Sequence, residues 1–246
     1  MLLDPSIRLR NAIINNQLII VRHVLKRWPE LLTNIDPSNG WTSLHYAAFH
    51  GHYLLCALLI QKGHDSDGIR RTADGDSCVH LALINGHEQT THLLLQHFPQ
   101  CVQDRNAQGR TPAHIACMGD FHQCLSLLLH VGTDITVGDA EGNTAFHIAT
   151  IYGSLRCAEL LVQQVAGRPE ECEKRNNAGW TPAEVAMTFA VQNIFLNYVR
   201  DASMRQAFQQ ITPVVPWSVA TASSETTAVT SAPPSLLSIS ITKVRT

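Results

Sequence analysis

Residues 40–52 read GWTSLHYAAFHGH. The chain returns to this phrase four more times: GDSCVHLAL from Gly75, GRTPAHIAC from Gly109, GNTAFHIAT from Gly142 and GWTPAEVAM from Gly179. The separations are 35, 34, 33 and 37 residues. Self-similarity at such a period marks a stack of like units, each burying its apolar face against its neighbours rather than in one central core.

The chemistry of the phrase is that of a helix start. Thr181 suits an N-cap, because its hydroxyl accepts from a free backbone N–H of the first turn. Pro182 suits the first helical position, where a missing N–H costs nothing. Glu184, three residues after the cap, can reach back to the cap's own N–H and close a capping box. In the other copies His45, His80, His114 and His147 stand in the slot of Glu184. These four histidines are therefore expected to brace helix starts. The glycine before the cap permits the positive φ of the lead-in turn. The small residues Ala47, Ala82, Ala116, Ala149 and Ala186 let a neighbouring helix or unit pack close. Glycine recurs after about one helix (Gly51, Gly86, Gly153), ahead of the leucine-rich stretches LLCALLI, THLLL, CLSLLL and CAELLV. Glycine then ends the second helix in Gly63-His64-Asp65 and Gly132-Thr133-Asp134. Each unit is thus predicted as helix, tight turn, helix and hairpin-like loop.

A period near 33 with a Thr-Pro-Leu-His-x-Ala motif resembles the ankyrin repeat. Five copies in phase carry the resemblance, which covers about residues 1–200. It implies an all-α fold: an ankyrin-repeat solenoid of about six repeats including caps. The expected divisions are an N-terminal cap at 1–35, repeats at 36–68, 69–103, 104–138 and 139–175, and a C-terminal cap at 176–205. In that last unit PAEVAMTF reads as a well-marked first helix, and Val191–Val199 as a weaker second one. Residues 6–34 lack the motif but keep the rhythm, with a short apolar helix around Ile7–Ile14 and a second from Leu18 to Leu25. Arg8, Arg10, Arg22, Lys26 and Arg27 fit the wet face of such a cap. In the third copy Asp120 stands where the others have glycine, and Gly119 falls one place early. Residues 206–246 are rich in Ser, Thr, Ala and Pro; this composition cannot bury a core and predicts a disordered tail. Within the tail LLSISIT, 236–242, alternates apolar and polar residues and could add to a sheet edge.

Composition narrows the function. The chain has 246 residues, 45% hydrophobic and 15% charged, with a formal net charge of −2. That balance argues against nucleic acid, which calls for a basic stripe. Seven scattered cysteines read as free buried thiols of a reducing compartment. The start of the chain does not read as a signal peptide, and no apolar run approaches the roughly 20 residues of a transmembrane helix. The repeated histidines lie about one unit apart and cannot converge on one metal. Cys78 and His80, two apart on a helix, do not face each other; Cys117 and His114 could touch, but no third group orients that histidine. No phosphate loop is present. The reading is a binding module without catalytic, cofactor or metal sites and without a small-molecule substrate.

The ankyrin resemblance also implies where partners bind: on the hairpin tips and the solvent side of the first helices. Carried over by register, that face comprises Trp41, Phe49, His50, Asn85, Arg110, Met118, Tyr152, Trp180 and Phe189. Two readings stand for Phe49, Ile84 and Ile151, namely groove contact or core beneath the hairpin, and likewise for Trp41 and Trp180. Longer stretches, LLTNIDPSNGWTSLHYAAFHGHYLLC, SCVHLALINGHEQTTHLLLQHFP and HIACMGDFHQCLSLLLHVGTDI, resemble the ankyrin-repeat accessory-subunit family of fungal TOR complex 2. That resemblance implies a non-catalytic adaptor whose partners are subunits of a large kinase complex in signalling, cytoplasmic and reaching the plasma-membrane periphery through the complex. The alternative is a stoichiometric inhibitor or chaperone of another enzyme or of a transcription factor.

Overall fold

Each of the four histidine motifs folds into the helix start that its chemistry prescribes. In the computed structural model, which describes residues 4–66, 68–165 and 168–211 (backbone alone at 169 and 206–211), Thr42, Ser77, Thr111 and Thr144 are N-caps, each in a capping box with the histidine three residues on. The cap N–H donates to the histidine Nδ1 at 3.1, 3.3, 3.1 and 3.1 Å in chain order. The paired helices follow as α1 (Pro5–Ile14) and α2 (Leu18–Arg27), α3 (Ser43–Phe49) and α4 (Tyr53–Gln61), α5 (Cys78–Ile84) and α6 (Glu88–His97), α7 (Pro112–Met118) and α8 (His122–Val131), α9 (Ala145–Tyr152) and α10 (Leu155–Gln164), with α11 (Phe189–Ile211) last. The described residues form no named strand; one isolated antiparallel bridge joins Ile35 and Thr42.

The helices stack in two layers. First helices touch in the order α1, α3, α5, α7, α9, and second helices in the order α4, α6, α8, α10. The alanines at the repeated position make this spacing possible: Ala47, Ala82, Ala116 and Ala149 are all buried. Leu55, Leu59, Leu94, Leu125, Leu128 and Leu161 from the second helices fill the space between layers. A single apolar core runs from Leu9 to Phe195. Isolated helices of seven to ten residues are marginal in water, so this lengthwise burial, not helix propensity, holds them.

The turns between paired helices explain the misplaced glycine of the third unit. Gly51, Gly86 and Gly153 adopt positive φ there, and at Gly51 an added Cβ would meet the His87 ring at 2.4 Å. In the third unit Asp120 takes the left-handed conformation instead, at φ 53°. Asp tolerates that region better than most residues. Its carboxylate also accepts the Cys157 N–H at 3.0 Å, capping α10 of the next unit.

The last unit departs from the expectation. Thr181 and Glu184 do make the cap contacts, with the Thr181 N–H 2.8 Å from Glu184 Oε2. Yet PAEVAMTF forms no first helix: 182–185 make only a turn, and Phe189 already opens the next helix. The Met187 N–H leaves the helical path and donates to the Thr150 carbonyl at the end of α9, 3.0 Å away. The physical reason is packing: Met187 is 67% exposed and its N–H is committed to Thr150, so the segment does not bury the apolar face that would hold a short helix. The chain restarts at Thr188, whose hydroxyl accepts the Val191 N–H, and runs on as α11 against α10 and α9. Phe195 anchors it, edge-on to Phe146 with ring centroids 6.4 Å apart. α11 continues through Ile211, past the residue 206 at which the tail was expected; the remainder of that tail, including 236–242, lies outside the described residues.

Candidate protein-binding face

The hairpins between units are built alike. Glycine at the tip closes a turn, as where the Gly109 N–H donates to the Asn106 carbonyl at 2.8 Å. An Asx side chain ties the loop from inside: Asn106 Oδ1 accepts from Gln108 N–H and Arg110 N–H, and Asp139 Oδ1 from Glu141 N–H and Asn143 N–H. One backbone bond then links each hairpin to the next: Ala73 N–H to Asn39, Ala107 to Asp74, Ala140 to Gln108 and Asn177 to Glu141 carbonyls, at 2.9–3.1 Å. At the first junction a Cβ on Gly40 would lie 2.8 Å from the Ala73 nitrogen. The hairpin tips are thereby held as a regular row.

The capping histidines continue this wiring from below. His80, His114 and His147 each use Nε2 to reach the next unit, at the carbonyls of Arg110 (3.1 Å), Asn143 (2.9 Å) and Trp180 (3.0 Å). A ring that accepts at Nδ1 and donates at Nε2 is neutral. Burial accordingly pushes all three imidazoles below their ordinary range. His45 is the exception in partner. Its Nε2 faces the backbone of Arg70 without a hydrogen bond of acceptable geometry. Burial pushes its ring to about 4, opposed by the Asp65 charge and reinforced by His64. The cross-unit bond was not foreseen from the sequence. The signal was the choice of histidine over glutamate, since a carboxylate can brace the cap but has no N–H for the next unit.

The nine residues assigned by register do not form one site. Trp41, Phe49 and His50 come together within one unit: the Trp41 and Phe49 rings lie 5.1 Å apart, and Phe49 and His50 meet edge-on at 5.3 Å. Trp41 also packs on Tyr46 at 5.0 Å. The Tyr46 hydroxyl donates to Asp36 at 2.7 Å, where Arg10 pairs at 2.9 Å. Burial would raise the Asp36 carboxyl, but bonds from Tyr46 and Ser38 and the Arg10 charge outweigh it and hold it at about 2. Burial, with His52 and His87 nearby, lowers the His50 imidazole.

Asn85 spends its amide inside the stack, donating to the Phe49 carbonyl at 2.8 Å. His87 Nε2 reaches the same carbonyl at 3.0 Å, and His52 does likewise to Ile14 at 3.1 Å. Two further histidines are thus structural. Arg110 is half-buried, its Nε 3.9 Å from Asp139. Met118 is half-buried against the core. Tyr152, Trp180 and Phe189 are exposed by 45%, 54% and 76%. Among the apolar residues of the nine, exposure is therefore greatest in these three, beside the segment where the expected first helix of the last unit does not form, and such patches mark contact surfaces.

The histidines and cysteines carry no assembled chemistry. His114 commits both nitrogens, and Cys117 beside it is buried. All seven cysteines are free and buried. Burial drives the Cys56 and Cys172 thiols up to about 12, far from a nucleophilic thiolate. Among the described residues no group of three or more His, Cys, Asp or Glu is placed to hold a metal, and no helix is long and apolar enough to cross a membrane.

Comparison with known proteins agrees with this architecture. The family model "Ankyrin repeats (3 copies)" matches residues 55–139 and 122–199, and the single "Ankyrin repeat" matches 39–70. The chain is 49% identical over 205 residues to "Target of rapamycin complex 2 subunit AVO2" of Saccharomyces cerevisiae, covering 83% of this chain and 48% of that protein. It is 31% identical over 145 residues to mouse Rabankyrin-5, 54% of this chain and 12% of the relative. It is 39% identical over 98 residues to chicken NF-kappa-B inhibitor alpha, 37% of this chain and 30% of the relative. The chain thus spans about half the length of the first of these relatives and less of the others.

Proposed function

The chain belongs to the ankyrin-repeat family, whose repeats bind other proteins, and from that premise we propose that it is a non-catalytic scaffold, an accessory subunit of a TOR-type kinase complex, TOR complex 2. The observation that carries the proposal is the 49% identity over 205 residues to a TOR complex 2 subunit, which spans the stack rather than one shared motif. The docking surface is the row of hairpin tips and first-helix ends, strongest where Tyr152, Trp180 and Phe189 are exposed. These are the residue types that dominate protein interfaces. The chain works in the cytoplasm and reaches the plasma-membrane periphery through the complex. Its buried thiols and doubly bonded histidines support a role without catalysis.

The test is affinity purification of the full chain followed by mass spectrometry. Recovery of the TOR kinase with its other subunits is expected. Recovery of a free enzyme or a transcription factor, with no kinase-complex component, sinks the reading. It would favour instead a stoichiometric inhibitor, the reading that the likeness to NF-kappa-B inhibitor alpha supports. The doubly substituted Arg110→Ala, Tyr152→Ala chain is predicted to lose most of the kinase recovery while its thermal midpoint stays within a few degrees. A large drop in midpoint would show that these side chains hold the stack instead.

A further inference from the structure

The basic residues of the first unit divide into two kinds. Arg10 is neutralised by Asp36 at 2.9 Å and lies over the Tyr46 ring, so it serves the fold. Arg8, Lys26 and Arg27 are exposed, and no carboxylate among the described residues lies within ion-pair distance of them. These three border a groove of about 690 Å³ along α2, with Arg8 its one lining residue from α1, floored by Ile20, Val24 and Trp28. The Arg27 guanidinium sits 5.0 Å over the Trp28 ring, which fixes one cation at the rim. His23 Nδ1 is tied to the Ile19 carbonyl at 2.8 Å, so the α2 wall is ordered as well. Residues 4–35 carry five basic against two acidic side chains in a chain whose net charge is −2. A merely solvated cap needs neither the concave apolar floor nor the segregated charge.

We infer that this groove is a second protein-docking site, separate from the hairpin face, which takes an acidic peptide segment with one large apolar anchor residue. The anchor fills the space over Ile20, Val24 and Trp28, and carboxylates on either side pair with Arg8, Lys26 and Arg27. A volume of about 690 Å³ lies in the range of ligand pockets and holds the anchor together with the peptide on either side of it. A flat anionic lipid surface would meet the rim cations but could not fill the concave floor. Opposite potentials across such a contact set specificity and speed association.

The test is fluorescence anisotropy with the full chain and a labelled peptide of glutamates around one central phenylalanine. Binding is expected, weakening as salt rises. Replacing the phenylalanine by alanine, or the glutamates by serines, lowers affinity by about tenfold or more. The Arg8→Glu, Lys26→Glu chain lowers it similarly with unchanged helicity, as does Lys26→Glu alone to a smaller degree. The Arg110→Ala, Tyr152→Ala chain binds the peptide like the parent, so this site and the hairpin face fail or stand independently. No binding, equal binding of the alanine peptide, or equal binding by the charge-reversed chain overturns the inference. Co-sedimentation with phosphatidylserine vesicles in place of peptide binding overturns it also.

Discussion

His114 does three jobs with one ring. It accepts the Thr111 N–H, interacts with the Thr111 hydroxyl at 2.8 Å and donates to Asn143 across the junction. His114→Ala removes the brace and strands a buried carbonyl, which is predicted to cost about 2–4 kcal/mol in urea unfolding. His114→Glu restores the reach to the cap but not the donor, and it buries a charge, so it does not rescue. The same rings make stability depend on pH. The folded chain holds its buried imidazoles neutral below their ordinary value of 6.5, so in mild acid the unfolded chain binds more protons. Stability therefore rises with pH. The contribution is complete above about pH 6.5 and is lost as pH falls from there, for His45 down through about 4. The urea midpoint is expected to drop steadily across that window. A flat profile would mean that the rings take up protons in the fold as they do in the unfolded chain.

At the scale of elements the governing quantity is the distance between helix layers. Ala149 is buried where α9 meets α7, and Ala149→Leu forces extra volume into that contact. A loss of about 1–3 kcal/mol is expected, with hydrogen exchange rising first in α9 and the elements beside it. Helix starts were legible because capping is local chemistry: a hydroxyl and a side chain three residues on decide it. The missing helix at PAEVAMTF was not legible for the same reason. Its cap contacts form, but burial of an apolar face decides whether a helix follows, and Met187 stays 67% exposed while its N–H bonds to Thr150. The 3₁₀ turns at Pro29–Thr33, Pro99–Gln103 and Pro169–Glu173 had a readable signal in the recurring proline after the second helix. The partner face was legible only as register. Register puts Asn85 in the row, but the stacking of units ties its amide to the Phe49 carbonyl, a contact between residues 36 apart that no local pattern encodes.

At the scale of the molecule, the main contacts of each described unit run to its neighbours, so stability is close to a sum of unit and junction terms. Phe195 is the main apolar plug at the far end, and Phe195→Ala is predicted to cost about 3–5 kcal/mol. That loss should appear as early exchange in α9–α11 with α3 and α5 still protected; uniform loss along the stack would contradict the nearest-neighbour picture. The single backbone bond from each hairpin to the next has a mechanical meaning. At each junction that bond lies in parallel with side-chain links such as Asn106 to Asp76 and His80 to Arg110, while the junctions themselves lie in series, so a pull along the stack is shared within a junction and passed in full from one to the next. The edge that carries them is then a chain of springs, and its extension adds up junction by junction. A partner seated along that edge would feel a ruler whose spacing yields under tension.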